Sequence, residues 1–126
     1  MTAYCLLDTC VMIDYLRDRQ EAVEFVHQAG ARPSVSAVTV AELFAGARTA
    51  TEERRIEGLL DRLLVRDVDL EIARLGGGYR RRYGPSHGVL IPDALIAATA
   101  QVHGVRLATR NARHFPMLGD LLVPYE

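Results

Sequence analysis

YCLLDTCVMIDYL, residues 4–16, passes from an apolar run into a helical pattern with a single acid at the join. Residues 4–7 read as a short buried strand, and residues 10–16 as the helix that follows. Asp8 lies between them, where the C-terminal edge of a parallel sheet binds ligands. Asp is also among the favoured helix N-caps, so a purely local role fits the same position.

Outward from that join, Ala22, Val23 and Val26 recur at helical spacing, which predicts a helix over 21–29 ended by Gly30. Residues 34–37 read as a second strand and residues 39–47 as a helix. Ile56, Leu59, Leu60 and Leu63 follow an i, i+3, i+4, i+7 stripe, predicting an amphipathic helix over 51–63. Residues 64–68 read as a strand. Ile72, Leu75, Tyr79 and Tyr83 keep a helical stripe through 70–83, but Gly76, Gly77 and Gly78 each cost about 1 kcal/mol relative to Ala. A weak or kinked middle is expected there, followed by a turn over 84–88. Pro92 suits a first helical turn before an apolar helix over 93–103, stopped by Gly104. Residues 105–108 and 121–123 read as strands. Strands alternating with helices in this order predict an α/β fold: a three-layer α/β/α domain with a mainly parallel central sheet.

At 126 residues the chain is expected to form one domain, 1–126, burying roughly two-thirds of its unfolded surface. A hydrophobic fraction of 49% and a charged fraction of 25% are those of a water-soluble globular protein. No apolar run approaches the roughly 20 residues that span a bilayer, so no membrane partner is expected. The first residues carry no basic segment ahead of an apolar one, which argues against a signal peptide and for a cytoplasmic location. Cys5 and Cys10 flank Asp8 and are expected to be reduced structural thiols. A net charge of −1 excludes a protein that coats nucleic acid by bulk positive charge. Arg80, Arg81 and Arg82, between Tyr79 and Tyr83, form one local basic stretch. It fits either an RNA contact or a solvated helix face over core tyrosines.

Asp8, Glu42 and Asp93 each interrupt a run of Leu, Ile, Val and Ala, so all three are expected to be drawn out of water. A buried carboxylate costs several kcal/mol unless it is paired or bound to metal. Glu42 has a local alternative as the solvent stripe of a short helix. Asp93 has one in the first turn of its helix, where the dipole favours negative charge. Within about 5 Å, however, such carboxylates repel by about 3 kcal/mol per pair at an effective dielectric near 20. A shared divalent cation relieves that repulsion, and hard oxygen ligands favour Mg²⁺ or Mn²⁺ over zinc.

LLDTCVMIDYL, SAVTVAELFAG, IPDALIAATA and GVRLATRNARHF, in this order, resemble the four motifs of the PIN-domain ribonucleases, specifically the VapC-type toxins of toxin–antitoxin pairs. The likeness runs from Leu6 to about Pro124. It implies a metal-dependent endoribonuclease cleaving structured cellular RNA such as tRNA or rRNA, with Asp8, Glu42 and Asp93 as acidic ligands of Mg²⁺ or Mn²⁺. Thr9 and Thr39 fall where the family has hydroxyl residues near the site. The fourth motif departs from the pattern: where members carry Asp, this chain offers Asn111, which matches the position best, and His114. His114 either contacts a phosphate or caps a turn, and Arg110 and Arg113 are the nearer phosphate candidates. A VapB-type antitoxin and a homodimer are the partners the resemblance implies, with Tyr15, Leu16 and Phe25 as the expected exposed dimer surface.

The expected reaction is metal-assisted hydrolysis of a phosphodiester. Asp8 and Asp93 hold the ion, Glu42 positions the attacking water, and Asn111 supplies a neutral oxygen. Two other classes compete. An aspartate-nucleophile phosphatase of the haloacid dehalogenase type requires a second Asp two residues after Asp8 and a later Lys; here the residue is Cys10 and the chain contains no Lys. A non-catalytic PIN-like scaffold binding RNA or a partner draws support from the missing fourth acid.

Overall fold

Residues 5–28 and 33–126 are described by the computed structural model. The expected extension of the first strand to Tyr4 and the end of the second helix at residues 29–30 lie outside the described residues. Strand β1 (Cys5–Leu7) is buried at every position. Its side chains leave alternately on opposite faces: Cys5 and Leu7 enter one core and Leu6 the other. A strand buried on both faces must be covered twice, and the chain supplies a layer of helices for each.

The remaining elements are α1 (Thr9–Leu16), α2 (Gln20–His27), β2 (Ser34–Ser36), α3 (Ala37–Gly46), α4 (Ala50–Leu60), β3 (Leu64–Arg66), α5 (Leu70–His87), α6 (Ile91–His103) and β4 (Arg106–Ala108). The four strands form a sheet in the order β3-β2-β1-β4, with every neighbouring pair parallel. Residues from α1, α2, α3 and α4, among them Val11, Val26, Leu43 and Ile56, pack with Leu7 and Val35. Ile96, Ala97 and Ala100 of α6 pack with Leu6 and Leu107 on the other face. The three-layer α/β/α arrangement expected from the element order is therefore the observed one.

The topology fixes where a site can be. From β1 the chain steps outward to β2 and β3, then crosses back to place β4 on the far side of β1. The strand order reverses beside β1, and in open parallel sheets the crevice at such a switch point, at the strands' carboxyl ends, takes ligands. Pairing of Leu7 with Ala108 sets the next residues, Asp8 and Thr109, side by side at that edge.

Several element boundaries differ from expectation. Helix α3 starts at Ala37 because Ser36 caps it, its side chain accepting from the Val38 N–H at 3.0 Å. Helix α4 ends at Leu60, and Leu63 is buried by the turn that follows. The turn expected over 84–88 is helix: α5 continues through Pro85 to His87 and ends on Gly88, which is left-handed at φ 67°. Proline forfeits only one N–H bond in this last turn, and the Gly88 N–H still closes on the Gly84 carbonyl at 2.8 Å. Nor does the glycine triplet break the helix. Gly76 is buried against α6, where a Cβ would come within 2.6 Å of Leu95 Cδ2 and 3.3 Å of Leu95 Cα, so its bareness lets the two helices close. The strand expected over 121–123 reduces to a one-residue bridge between Leu122 and Ala108. Among the described residues no helix is long and apolar enough to cross a membrane.

Candidate active site

Asp8 is buried, 4% exposed, at the carboxyl end of β1, and its local reading as a helix N-cap holds. It caps α1, with Oδ1 accepting from the Thr9 N–H at 2.8 Å. Its other oxygen, Oδ2, accepts from the Thr109 hydroxyl at 2.7 Å and the Cys10 thiol at 3.3 Å. These are neutral donors, and among the described residues no Arg or His pairs with it. Burial, then the Asp8 charge, push the Cys10 thiol up to about 11. It therefore stays protonated and able to donate. Burial likewise raises Cys5 to about 11, and both thiols are free, as expected of structural cysteines.

Glu42 reaches the same end of the sheet from α3. Thr39 and Glu42, three residues apart, share the helix face turned to the start of α1. Thr9 Oγ1 donates to Glu42 Oε1 at 2.7 Å and lies 2.9 Å from Thr39 Oγ1. A hydroxyl has one hydrogen to give, so Thr39 must donate to Thr9 in turn. This relay from Thr39 through Thr9 fixes one carboxylate oxygen of Glu42 and leaves Oε2 open. Burial does not hold Glu42, which is exposed. The expectation that all three acids are drawn out of water holds fully for Asp8, in part for Asp93 and not for Glu42.

Asp93 lies in the first turn of α6, its side chain 31% exposed, with Oδ2 at 3.2 Å from His114 Nδ1. Its carboxyl titrates above the ordinary range. Partial burial is the largest cause and the charge of Asp8 the next; His114 opposes the shift and Glu42 adds to it. Asp8 and Glu42 are thus near enough to Asp93 to oppose its ionisation. They do not form a closed cage: among the described residues no three His, Cys, Asp or Glu side chains are gathered as a ready metal-binding group. Each is turned to its own neighbour, Asp8 to Thr109, Glu42 to Thr9 and Asp93 to His114.

The fourth motif enters differently from its reading in sequence. The Asn111 side chain makes no hydrogen bond among the described residues; its backbone N–H donates to Thr109 Oγ1 at 3.0 Å. His114, on the short 3-10 helix Ala112–His114, is the side chain that meets an acid. Arg110 is committed elsewhere, to Asp14 at 2.9 Å and near the Tyr125 ring at 5.7 Å. Arg113 is exposed and unpaired among the described residues. Tyr15, Leu16 and Phe25, expected as an exposed dimer surface, are instead half-buried against the first core.

Thr109 is the residue the sequence reading missed. It is fully buried and bonds both Asp8 and the Asn111 backbone. The available signal was positional: Thr109 follows β4 as Asp8 follows β1.

The PIN domain profile matches residues 5–119. Ribonuclease VapC19 of Mycobacterium tuberculosis is 39% identical over 124 residues, covering 95% of this chain and 98% of the relative. The tRNA(fMet)-specific endonuclease VapC of Shigella flexneri is 30% identical over 122 residues, covering 92% of each. A toxin–antitoxin complex from Klebsiella pneumoniae contains a chain that superposes with a TM-score of 0.83 at 30% identity, covering 97% of this chain and 98% of that one. With the matched profile spanning the sheet edge and all four motifs, the chain belongs to the PIN-domain family.

Proposed function

We propose that this chain is a metal-dependent endoribonuclease, the toxin of a VapBC-type pair, hydrolysing phosphodiester bonds in structured RNA such as tRNA or rRNA. The observation that carries the reading is a buried carboxylate, Asp8, held only by neutral donors, near enough to Asp93 that its charge adds to the burial raising that carboxyl. An anionic pocket with that surplus fits a hard divalent cation. Mg²⁺ keeps several waters and needs only one or two direct carboxylates, so a closed protein cage is not required.

In this mechanism Asp8 and Asp93 would hold Mg²⁺, or Mn²⁺ in its place, and Glu42 would act on the attacking water. The ion, when bound, supplies Lewis acidity toward the scissile phosphate. Thr9 aims Glu42 by occupying Oε1, leaving Oε2 to accept the water's proton. Thr109 holds Asp8 in place. His114 Nδ1, beside Asp93, and Asn111 flank the cleft, where His114 and Arg113 contact phosphate oxygens.

The antitoxin reading draws on an open groove of about 430 Å³ beside Glu42, between α1, α3 and α4. Ile13, Leu16, Leu43 and Ile56 form its apolar lining, with Arg17 and Arg48 also present. With Arg55, Glu42 and Glu52 in the same lining, that mixed but largely apolar chemistry suits an amphipathic segment of a VapB-type antitoxin, and a homodimer is the expected assembly of the toxin. Titrating Mg²⁺ into a cleavage reaction on total tRNA and rRNA, with Asp93→Ala alongside, tests the nuclease. Metal-dependent RNA ends made by wild type and absent from the variant are expected. RNA binding without any metal-dependent cleavage would favour a scaffold instead.

A further inference from the structure

The C-terminal part of α5 plays no part in the chemistry above, yet it concentrates charge. From Ala73 to His87 it carries Arg74, Arg80, Arg81 and Arg82 and no acid. Among the described residues none of these four arginines has an ion-pair or hydrogen-bond partner. Arg74, Arg81 and Arg82 are exposed and Arg80 is half-buried. At 100° per residue, Ile72, Gly76, Tyr79 and Tyr83 form the inward stripe, and two of them, Ile72 and Gly76, are buried. Arg74 and Arg81, seven residues apart, fall together on the opposite, outer face. Arg82 lies at its margin, over the Tyr83 ring at 5.3 Å.

Between Arg74 and Arg81 the outer face is bare. Gly76 is explained by its contact with α6, but Gly77 has nothing within 4 Å of where its Cβ would be, and Gly78 only the Arg81 guanidinium at 4.0 Å. Packing thus gives no reason for two residues that each cost about 1 kcal/mol in a helix. Absence of side chains does let another backbone approach closely. Arg74 and Arg81 are about 10 Å apart along the axis at 1.5 Å per residue, so their guanidinium groups can take separate phosphates.

Gly76 opposite Leu95 sets the antiparallel register of α5 on α6, which places Gly78 level with Asp93. The basic face is thus the outer side of the helix whose inner side packs on α6, the element that carries Asp93. We propose that Arg74, Arg81 and Arg82, over the bare floor of Gly77 and Gly78, form a second phosphate-backbone contact for the RNA substrate. This rests on the nuclease reading for the nature of the polyanion. An RNA engaging both surfaces extends well beyond the cleaved linkage, so the face selects folded RNA over mono- and dinucleotides. Arg supplies planar, bidentate phosphate recognition, and the chain has 15 Arg and no Lys.

The test is anisotropy of a labelled RNA hairpin titrated with the full chain over a salt series, without divalent cation. In Arg74→Ala/Arg81→Ala/Arg82→Ala the affinity is expected to fall about tenfold or more, and the slope of log K on log salt by about three. The triple Lys variant is expected to recover the slope, and matching thermal midpoints would show that the fold is kept. Unchanged affinity and slope in the Ala variant, or no hairpin binding by wild type, overturns the proposal. So does intact RNA binding with lost antitoxin binding, which would assign the face to a protein. Binding is read here without metal, so failure to cleave RNA would sink the nuclease reading and leave this result standing.

Discussion

At the residue scale each acid of the candidate site has its own partner: Thr109 for Asp8, Thr9 for Glu42 and His114 for Asp93. Asp8 depends on Thr109, whose loss would leave a buried carboxylate oxygen short of its strongest donor. Thr109→Val is therefore expected to cost about 1–3 kcal/mol in denaturant unfolding and to lower cleavage, with Thr109→Ser restoring most of both. Equal stability of the Val variant would show that Cys10 alone satisfies Asp8. Asp93 gives a pH signature. Its folded carboxyl titrates above its ordinary 3.8, so the native state binds the extra proton, and stability falls as pH rises from that value through the raised one. Asp93→Asn is expected to melt no lower than wild type at neutral pH in chelator, while losing cleavage. A markedly lower midpoint would mean that the ionised carboxylate supports the fold through His114. Asp8 and Asp93 were legible because acids at a strand end and a helix start stand out among aliphatic neighbours. Thr109 was not, since a Thr beside a strand carries no charge signal.

At the scale of elements, α5 shows why local composition misled. Three glycines predict a weak or kinked middle and a turn over 84–88, yet α5 is continuous from Leu70 to His87. Tertiary contact overrides propensity at Gly76, where bareness admits Leu95, and Pro85 falls where one missing N–H matters little. The triplet is thus expected to split by substitution. Gly76→Val should destabilise by about 1–3 kcal/mol through overpacking against α6. Gly77→Ala, with open space around it, should stabilise by up to about 1 kcal/mol. Chemical denaturation of the two variants measures both, and the same sign for both would refute this division of roles. Periodicity located α4, because Ile56 and Leu59 are buried as their spacing requires, and an apolar run between Pro92 and Gly104 located α6, where Ala94 and residues 96–100 are buried. The short last strand failed because a single bridging residue, Leu122, carries no pattern to read.

At the scale of the whole molecule, a parallel sheet that reverses its order beside β1 brings residues far apart in sequence to one edge. Layering and sheet direction followed from the alternation of strands and helices, but the strand order did not. Only the crossing of the chain after β3 puts β4 next to β1, and with it Thr109 and His114 beside the acids. The groove between α1, α3 and α4 was equally hidden, because its lining comes from three separate helices. Ile13→Asp, placing a charge in that groove, is expected to abolish co-purification with the antitoxin while leaving RNA cleavage in place. Retained complex formation would move the partner elsewhere.

The most direct measurement is the Mg²⁺-supported rate of RNA cleavage by Asp8→Asn against wild type, with both proteins shown to be folded. A substitution that keeps the cap and the shape but removes one negative charge is expected to lower the rate by at least about a hundredfold. Cleavage at the wild-type rate would contradict the assignment of Asp8, and with it the shared anionic pocket, as the centre of the activity.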